Sequence, residues 1–115
     1  MNIYPGKRIT VEFLWKIDAC ASHIRLFKKN FPTGVRLSKH ALLKAEEKGL
    51  NTNWFFERTL NMASYVEYHS MTQKAFEAWW ELPYDSDDEA YVALTKQRID
   101  AYFELIRDKN NIEQF

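Results

Sequence analysis

The stretch LSKHALLKAEEKGLNTNWFFERTL, residues 37–60, decides the fold, because it encodes two short helices and the joint between them. Ser38 has the side chain that an N-cap needs, and the leucines and alanines that follow give the first helix an apolar face. Gly49 stands where a helix commonly ends on a left-handed residue, a conformation that glycine adopts without steric penalty. We therefore predict a first helix at 39–48.

The second helix is predicted at 52–60, with Asn51 or Thr52 as its N-cap. Its apolar content is high for so short an element, and one face of a two-turn helix cannot bury all of it. The side chains concerned are Trp54, Phe55, Phe56 and Leu60. This helix must therefore be packed from several sides or form a contact surface.

Upstream of this stretch, proline and glycine separate an irregular beginning from a helix. Residues 1–9 are predicted as an irregular arm, and Thr10 is a candidate N-cap. Residues 11–17 stay open between helix and strand, because their apolar side chains are crowded without clean alternation. Asp18 is predicted to cap a helix that Pro32 ends, since the residue before a proline avoids the helical region.

Downstream, two long helices are expected to form an antiparallel hairpin. The first covers 61–82 and ends at Pro83, and Ser86 starts the second with an acidic first turn that suits the helix dipole. The short linker between them implies that they fold back on each other, and the tail at 110–115 is predicted to fray. The buried side of the first is predicted to consist of Met62, Tyr65, Val66, Phe76, Trp79 and Trp80. The buried stripe of the second is predicted to consist of Val92, Leu94, Ile99, Tyr102, Phe103 and Ile106.

Length and composition predict a single helical domain spanning 1–115, an all-α bundle of about five helices. Eighteen of 115 residues are aromatic against three glycines and three prolines, which favours long regular elements with bulky packing. The lone cysteine cannot form an intramolecular disulfide, which predicts a reducing compartment. The N-terminus has no apolar leader region and no run is long enough to span a membrane, so a cytoplasmic protein is expected.

Charge is unevenly distributed although the formal net charge is zero. Residues 1–48 carry ten Lys and Arg against four Asp and Glu, a net +6, and the remainder carries −6. A basic patch around the FPTG turn is a candidate site for an acidic partner or for phosphates. Its predicted members are Arg25, Lys28, Lys29, Arg36, Lys39 and Lys44. The alternative is a solvated face, or charge matching between two packed halves.

Trp79 and Trp80 are the second candidate for partner binding. Adjacent residues on a helix point in different directions, so at least one of the two is expected to be partly exposed, and exposed tryptophan is common at binding interfaces. The alternative is a wide buried face in an aromatic-rich bundle.

Evidence for catalysis is weak in this sequence. Cys20 and His23 stand three residues apart on a predicted helix and share a face, as a thiolate and base pair or two metal ligands would. A zinc site would also need His40 and His69 to converge there. A free cysteine is usually a small buried apolar residue, and the chain has no phosphate-binding loop or dinucleotide fingerprint. We therefore predict no enzyme activity, no metal and no cofactor.

The spacing of Ala45, Gly49 and Leu50 matches the centre of a DNA-binding helix-turn-helix unit. Lys44 and Lys48, however, occupy positions that are normally apolar in that motif. The second helix also presents aromatic rings where polar side chains would read bases. A DNA-binding accessory protein with a degenerate motif at 38–60 is therefore the alternative function, with Lys39, Lys44 and Lys48 as its contacts.

Residues 18–54 resemble a module found in small uncharacterised proteins of phages and prophages. The pattern is carried by Ala19, Cys20, His23, Ile24, Phe27, Phe31, Pro32, Gly34, Leu37, Ala45, Gly49, Leu50 and Trp54. The resemblance implies no catalytic residues. It implies a small protein of a mobile element that binds and modulates or inhibits a host macromolecule, for example a defence or nucleic-acid-processing complex. A host protein or complex is thus the expected partner, and nucleic acid is the second candidate.

Overall fold

A computed structural model describes residues 3–82 and 88–107 of the chain. Within these residues it contains six helices and a two-stranded antiparallel ladder, which confirms the all-α prediction. Residues 11–16, which the sequence left open, are helical. The elements are β1 (Arg8–Ile9), α1 (Val11–Lys16), α2 (Ala21–Asn30), β2 (Val35–Arg36), α3 (Lys39–Glu47), α4 (Thr52–Thr59), α5 (Met62–Trp80) and α6 (Asp88–Arg107).

Most helix ends follow the capping signals in the sequence. Thr10, Ser38 and Asn51 each accept a hydrogen bond from the backbone N–H three residues later, at 3.0 to 3.2 Å. Gly49 has φ +92°, and the N–H of Leu50 reaches back to the carbonyl of Ala45 at 3.0 Å, the pattern that closes a helix on a left-handed residue. The predicted boundaries of the central stretch are therefore confirmed within a residue.

The predicted role of Asp18 is wrong, because it ends α1 and does not cap α2. Its φ of 65° places it in the left-handed region, and the next residue, Ala19, donates to the carbonyl of Leu14 at 3.0 Å. This is the same helix-closing arrangement as at Gly49, here with a non-glycine residue whose short polar side chain tolerates it. Cys20 consequently stands at the N-cap of α2.

The residues predicted as an N-terminal arm pack against the rest of the chain from residue 3 onward. Ile3 is fully buried, and Arg8 and Ile9 pair with Arg36 and Val35. The ladder passes so close to Gly34 that a Cβ there would lie 2.7 Å from the Ile9 carbonyl oxygen. Pro5 and Gly6 suggested an irregular arm, but a two-residue ladder between distant segments leaves no periodic signal.

Helix α4 is packed from several sides, the first of the two alternatives that its aromatic content left open. Phe56 is fully buried, and its ring stacks on Tyr102 of α6 with centroids 4.2 Å apart. Tyr68 of α5 packs against the same Phe56 ring in an edge geometry, with centroids 5.9 Å apart. Three helices thus meet on one phenylalanine ring, which is why α4 can bury so much apolar surface for its length.

Helices α5 and α6 form the predicted antiparallel hairpin, but the predicted buried face of α5 is wrong. The end of α5 meets the start of α6, where Trp79 packs against Tyr91 at 5.7 Å. The buried residues of α5 are Ser64, Tyr68 and Thr72. Of the residues predicted to be buried, four are exposed: Met62, Val66, Phe76 and Trp80. The predicted stripe of α6 is buried except for Val92, which is 40% exposed. The predictions for Ser86, for Asp87 and for the tail at 110–115 lie outside the described residues. Asp88 and Glu89 of the predicted acidic first turn are the first two residues of α6.

Among the described residues, no helix has the length and apolar character needed to cross a lipid bilayer.

Candidate interaction surface and thiol site

An exposed stripe runs along the whole of α5, and we call it the α5 seam. Its six members follow one another at intervals of four, three, four, three and four residues, the spacing that keeps side chains along one helical stripe facing a partner helix. They are Met62, Val66, His69, Gln73, Phe76 and Trp80. Met62 is 77% exposed, Val66 60% and Trp80 71%, so most of its apolar members face solvent.

An aromatic cluster forms the C-terminal end of the seam. Trp80 lies nearly parallel to Phe76 with ring centroids 6.0 Å apart, and the guanidinium of Arg98 lies 5.4 Å from the Phe76 ring centre. Trp79 turns the other way, is half-buried and meets Tyr91 edge-on. The two adjacent tryptophans therefore have different roles, because Trp79 joins α5 to α6 while Trp80 projects outward. Trp80 is exposed, and its ring lies beside those of Phe76 and Trp79.

The middle of the seam is polar and held by hydrogen bonds. His69 Nε2 lies 3.2 Å from a carboxylate oxygen of Glu57 on α4, to which the hydroxyl of Tyr65 also donates at 3.3 Å. The charge of Glu57 raises the pKa of Tyr65. The side-chain amide of Gln73 donates to Glu77 at 3.0 Å. Polar groups at the centre of an apolar stripe fix the register in which a partner helix can align.

The six basic residues of the predicted patch are all exposed, but they do not share one environment. Lys39 Nζ lies 3.0 Å from a carboxylate oxygen of Asp100 on α6, so α6 partly neutralises its charge. Arg36 donates to the backbone carbonyl of Gly6 at 3.3 Å. Lys39 and Lys44 are five residues apart on α3, which turns their side chains about 140° away from each other. Arg25, Lys28 and Lys29 lie on one side of α2, and their role in partner binding stays a prediction.

The helix that would read DNA in a helix-turn-helix unit has much of its surface in the core. Thr52, Phe55, Phe56 and Thr59 of α4 are all buried. The hydroxyl of Thr52 donates to Glu46 at 2.6 Å, and this bond ties α4 to α3.

Cys20 lies in a polar cluster at the surface, although the sequence predicted that this cysteine would be buried. The expectation of a small buried apolar cysteine is wrong, because Cys20 is solvent-exposed at the N-cap of α2. Its Sγ is 2.9 Å from His23 Nδ1 and 3.2 Å from the hydroxyl oxygen of Ser22. Hydrogen bonds from Ser22 and then His23 lower the pKa of the Cys20 thiol to about 6. The sulfur is therefore mostly a thiolate at neutral pH, which is the nucleophilic form.

A cavity of about 220 Å³ opens next to this cluster. Cys20, His23 and Asp18 lie on its wall together with core side chains from α1, α2, α3 and α4, and the lining is almost entirely apolar. The apolar lining includes Leu14, Phe27, Phe31, Leu37, Leu42 and Phe55. A thiolate thus lies on the wall of an apolar cavity.

The three histidines do not combine into a metal centre with Cys20 in the part of the chain that is described. No group of three or more His, Cys, Asp or Glu side chains among those residues is placed to hold a metal ion. The third polar member of the thiol cluster is Ser22, which the sequence analysis did not single out. A hydroxyl two residues after an N-cap cysteine is the signal that could have found it.

Neither a protein-family model, nor a curated protein, nor a solved structure matches this chain.

Proposed function

We propose that this protein is a non-enzymatic interaction protein that binds an amphipathic helix of a partner protein along the α5 seam. The exposed seam carries the proposal, because a stripe of apolar side chains at heptad spacing normally faces another helix. Trp80 and Phe76 supply the anchor, since large aromatic side chains dominate the energy of binding interfaces. In keeping with the resemblance of residues 18–54, the partner is a host protein whose activity this chain modulates or inhibits.

Charge favours a foreign partner over a second copy of this chain. Glu77 and Glu81 flank Trp80 at one end of the seam, and Glu57 lies beside its centre. A second copy would present the same three carboxylates beside its own seam, whereas complementary surfaces carry opposite charge. The partner helix should therefore carry lysine or arginine beside its apolar stripe.

The DNA-binding alternative has no comparable support. Its contacts would be Lys39, Lys44 and Lys48, of which Lys39 is paired with Asp100 and points away from Lys44. A duplex-binding protein contacts phosphates with several unpaired cations on one face. A fluorescence titration with duplex DNA at about 50 mM salt tests this alternative, because phosphate contacts alone give binding at that ionic strength.

The test of the proposal is a capture experiment with matched tryptophan variants. The full chain is used as bait for host lysate, the captured protein is identified and purified, and its affinity is measured by calorimetry. Trp80→Ala is expected to weaken binding by about 2 kcal/mol or more, roughly thirtyfold, as loss of an aromatic anchor does. Trp15→Ala is the matched control, because Trp15 is also exposed, at 56%, but lies on α1 away from the seam.

Three results would overturn the proposal. The first is a captured protein that binds Trp80→Ala as tightly as the wild type. The second is capture of nucleic acid alone. The third is a chain that forms a stable dimer through the seam, shown by light scattering on the wild type and on Val66→Glu.

A further inference from the structure

The cavity beside Cys20 combines two features that the proposed function does not use. One is a cluster of three polar side chains at positions 20, 22 and 23, at the start of α2, with the sulfur of Cys20 hydrogen-bonded to both Ser22 and His23. The other is an apolar cavity that Cys20 and His23 line together with core side chains of α1, α2, α3 and α4. A reactive sulfur beside an apolar chamber suits a ligand with one reactive polar atom and a hydrocarbon remainder.

We propose that Cys20 is an S-acylation site, at which the thiolate accepts a medium-chain acyl group from an acyl thioester and the chain fills the cavity. The size of the cavity sets the chain length. Its 220 Å³ exceeds the ~150 Å³ that hold a benzene molecule in an engineered protein cavity. At roughly 30 Å³ for each water-sized group, the volume accommodates about seven methylene-sized groups. An octanoyl chain therefore fits, and a palmitoyl chain does not.

A thioester fits this place better than a free fatty acid. The acid would bring a carboxylate next to a thiolate and to Asp18, which also lies on the cavity wall. Like charges at close range in an apolar setting disfavour each other. The carbonyl carbon of a thioester is uncharged and electrophilic, and the hydrocarbon chain matches the apolar lining.

The chemistry is a thiol exchange that balances without an oxidant. The Cys20 thiolate, held by hydrogen bonds to Ser22 and His23, attacks the carbonyl carbon of the acyl thioester. A new carbon–sulfur bond to Cys20 forms, and the bond to the carrier sulfur breaks. The carrier leaves as a thiolate that takes a proton from water, so the products are acylated Cys20 and a free carrier thiol.

The experiment measures the rate at which the full chain is acylated by coenzyme A thioesters of increasing chain length. Intact-mass spectrometry at about pH 7 follows one added acyl group, and hydroxylamine treatment confirms a thioester. Octanoyl thioester should label the wild type faster than acetyl or palmitoyl thioester, by about tenfold, because only that chain gains cavity contacts without overfilling. Cys20→Ser should give no labelling, and His23→Gln should slow it by about tenfold.

A cavity-filling variant separates the role of the cavity from the reactivity of the sulfur. Ala45→Leu adds bulk to the cavity wall and leaves Cys20, Ser22 and His23 unchanged. It should lose octanoyl labelling while iodoacetamide, a small electrophile, still alkylates Cys20 at the wild-type rate. Equal rates for acetyl, octanoyl and palmitoyl thioesters on the wild type would overturn the proposal, whether or not the variant folds. So would an Ala45→Leu protein of unchanged melting temperature that accepts octanoyl at full rate.

Discussion

The hydroxyl groups of Thr59 and Tyr102 lie 2.7 Å apart at the centre of the core, where neither side chain is more than 2% exposed. Thr59 donates to the carbonyl of Phe55 at 2.8 Å, so Tyr102 must be the donor to Thr59. Burial raises the pKa of Tyr102, because its phenolate would lose its hydration. This contact ties α4 to α6 by a polar bond inside an otherwise apolar environment.

Replacing the acceptor should cost more stability than replacing the donor. Thr59→Val keeps the shape of the side chain but leaves the Tyr102 hydroxyl buried without a partner, which should lower the free energy of unfolding by about 1–3 kcal/mol. Tyr102→Phe removes the donor while Thr59 keeps its bond to Phe55, which should lower the free energy of unfolding by about 1 kcal/mol. Urea unfolding of both variants and of the double variant measures the difference. The double variant should lose less than the sum, and a larger loss in Tyr102→Phe would refute the assignment of the donor.

Two glycines with the same backbone conformation should respond differently to alanine. Gly34 and Gly6 have φ of +84° and +88°, so alanine at either costs about 1–2 kcal/mol for the left-handed conformation. At Gly34 the new Cβ would also lie 2.7 Å from the Ile9 carbonyl oxygen, whereas at Gly6 it would meet nothing within 4 Å. Thermal melts should therefore show a clearly larger destabilisation for Gly34→Ala. Equal losses of stability in the two variants would mean that the β1–β2 ladder shifts to accept the new Cβ at little cost.

The aromatic residues should separate into a structural and a surface group. Phe56→Ala removes a fully buried ring and should cost about 3–5 kcal/mol. Trp54 is half-buried, with Arg58 5.5 Å from its ring centre, and Trp54→Ala should cost an intermediate amount. Trp80→Ala should change stability by no more than about 0.5 kcal/mol, since the side chain is 71% exposed. Denaturant midpoints rank the three, and a large loss in Trp80→Ala would show that this ring supports the fold.

The reactivity of Cys20 should rise with pH around 6. The pKa of the thiol is lowered to about 6, so iodoacetamide alkylation should reach half of its maximal rate there and level off above about pH 7. Ser22→Ala and His23→Gln should each move the midpoint upward, toward the ordinary 9.0, because each removes a hydrogen bond to the thiolate. A wild-type midpoint above about 8 would show that the cluster does not activate the sulfur.

The same ionisation has a defined effect on stability. The folded pKa lies below its ordinary value, so the fold favours the charged thiol. That contribution is complete above about pH 9 and disappears as the pH falls through about 6. A comparison of wild type with Cys20→Ser across this window should show a stability difference that grows with pH.

Alkaline pH should act in the opposite direction through the buried tyrosines. Burial raises the pKa of Tyr68 and of Tyr102 above the ordinary 10.0. Their contribution to stability is complete below about pH 10 and declines as the pH rises, because the unfolded chain ionises first. Tyrosinate absorbance and circular dichroism should therefore change together on alkaline titration. Ionisation of all six tyrosines while the helical signal is intact would contradict the burial of these two hydroxyls.

Local chemistry made the helices predictable from sequence. Thr10, Ser38 and Asn51 cap helices because a side-chain oxygen bonds a nearby N–H, an interaction contained within four residues. The β1–β2 ladder was missed because it joins residues more than twenty positions apart. Asp18 was misread because a short polar residue suits a left-handed helix end as well as an N-cap.

The face of α5 was misassigned because hydrophobicity does not specify which neighbours a helix meets. Ser64 and Thr72 are small enough to let α5 approach its neighbours, and Tyr68 is accepted inside because its hydroxyl donates to Asn53 at 2.5 Å. The more apolar residues of α5 lie on the surface, so the seam that they form could be recognised only in the structure. The tryptophan pair was noticed in the sequence, but the stripe joining Trp80 to Met62 was not. The reactivity of Cys20 likewise depends on a helix start that the sequence placed two residues too early.

The stacking of Phe56 on Tyr102 also orders the events of folding during synthesis. Phe56 is synthesised before two of its ring neighbours, Tyr68 and Tyr102, which follow 12 and 46 residues later. In a nascent chain that ends before α6, the ring of Phe56 has no stacking partner, so α4 cannot be fully buried. The domain should therefore reach its native state only after α6 has left the ribosome, and chaperones should meet an exposed α4 until then.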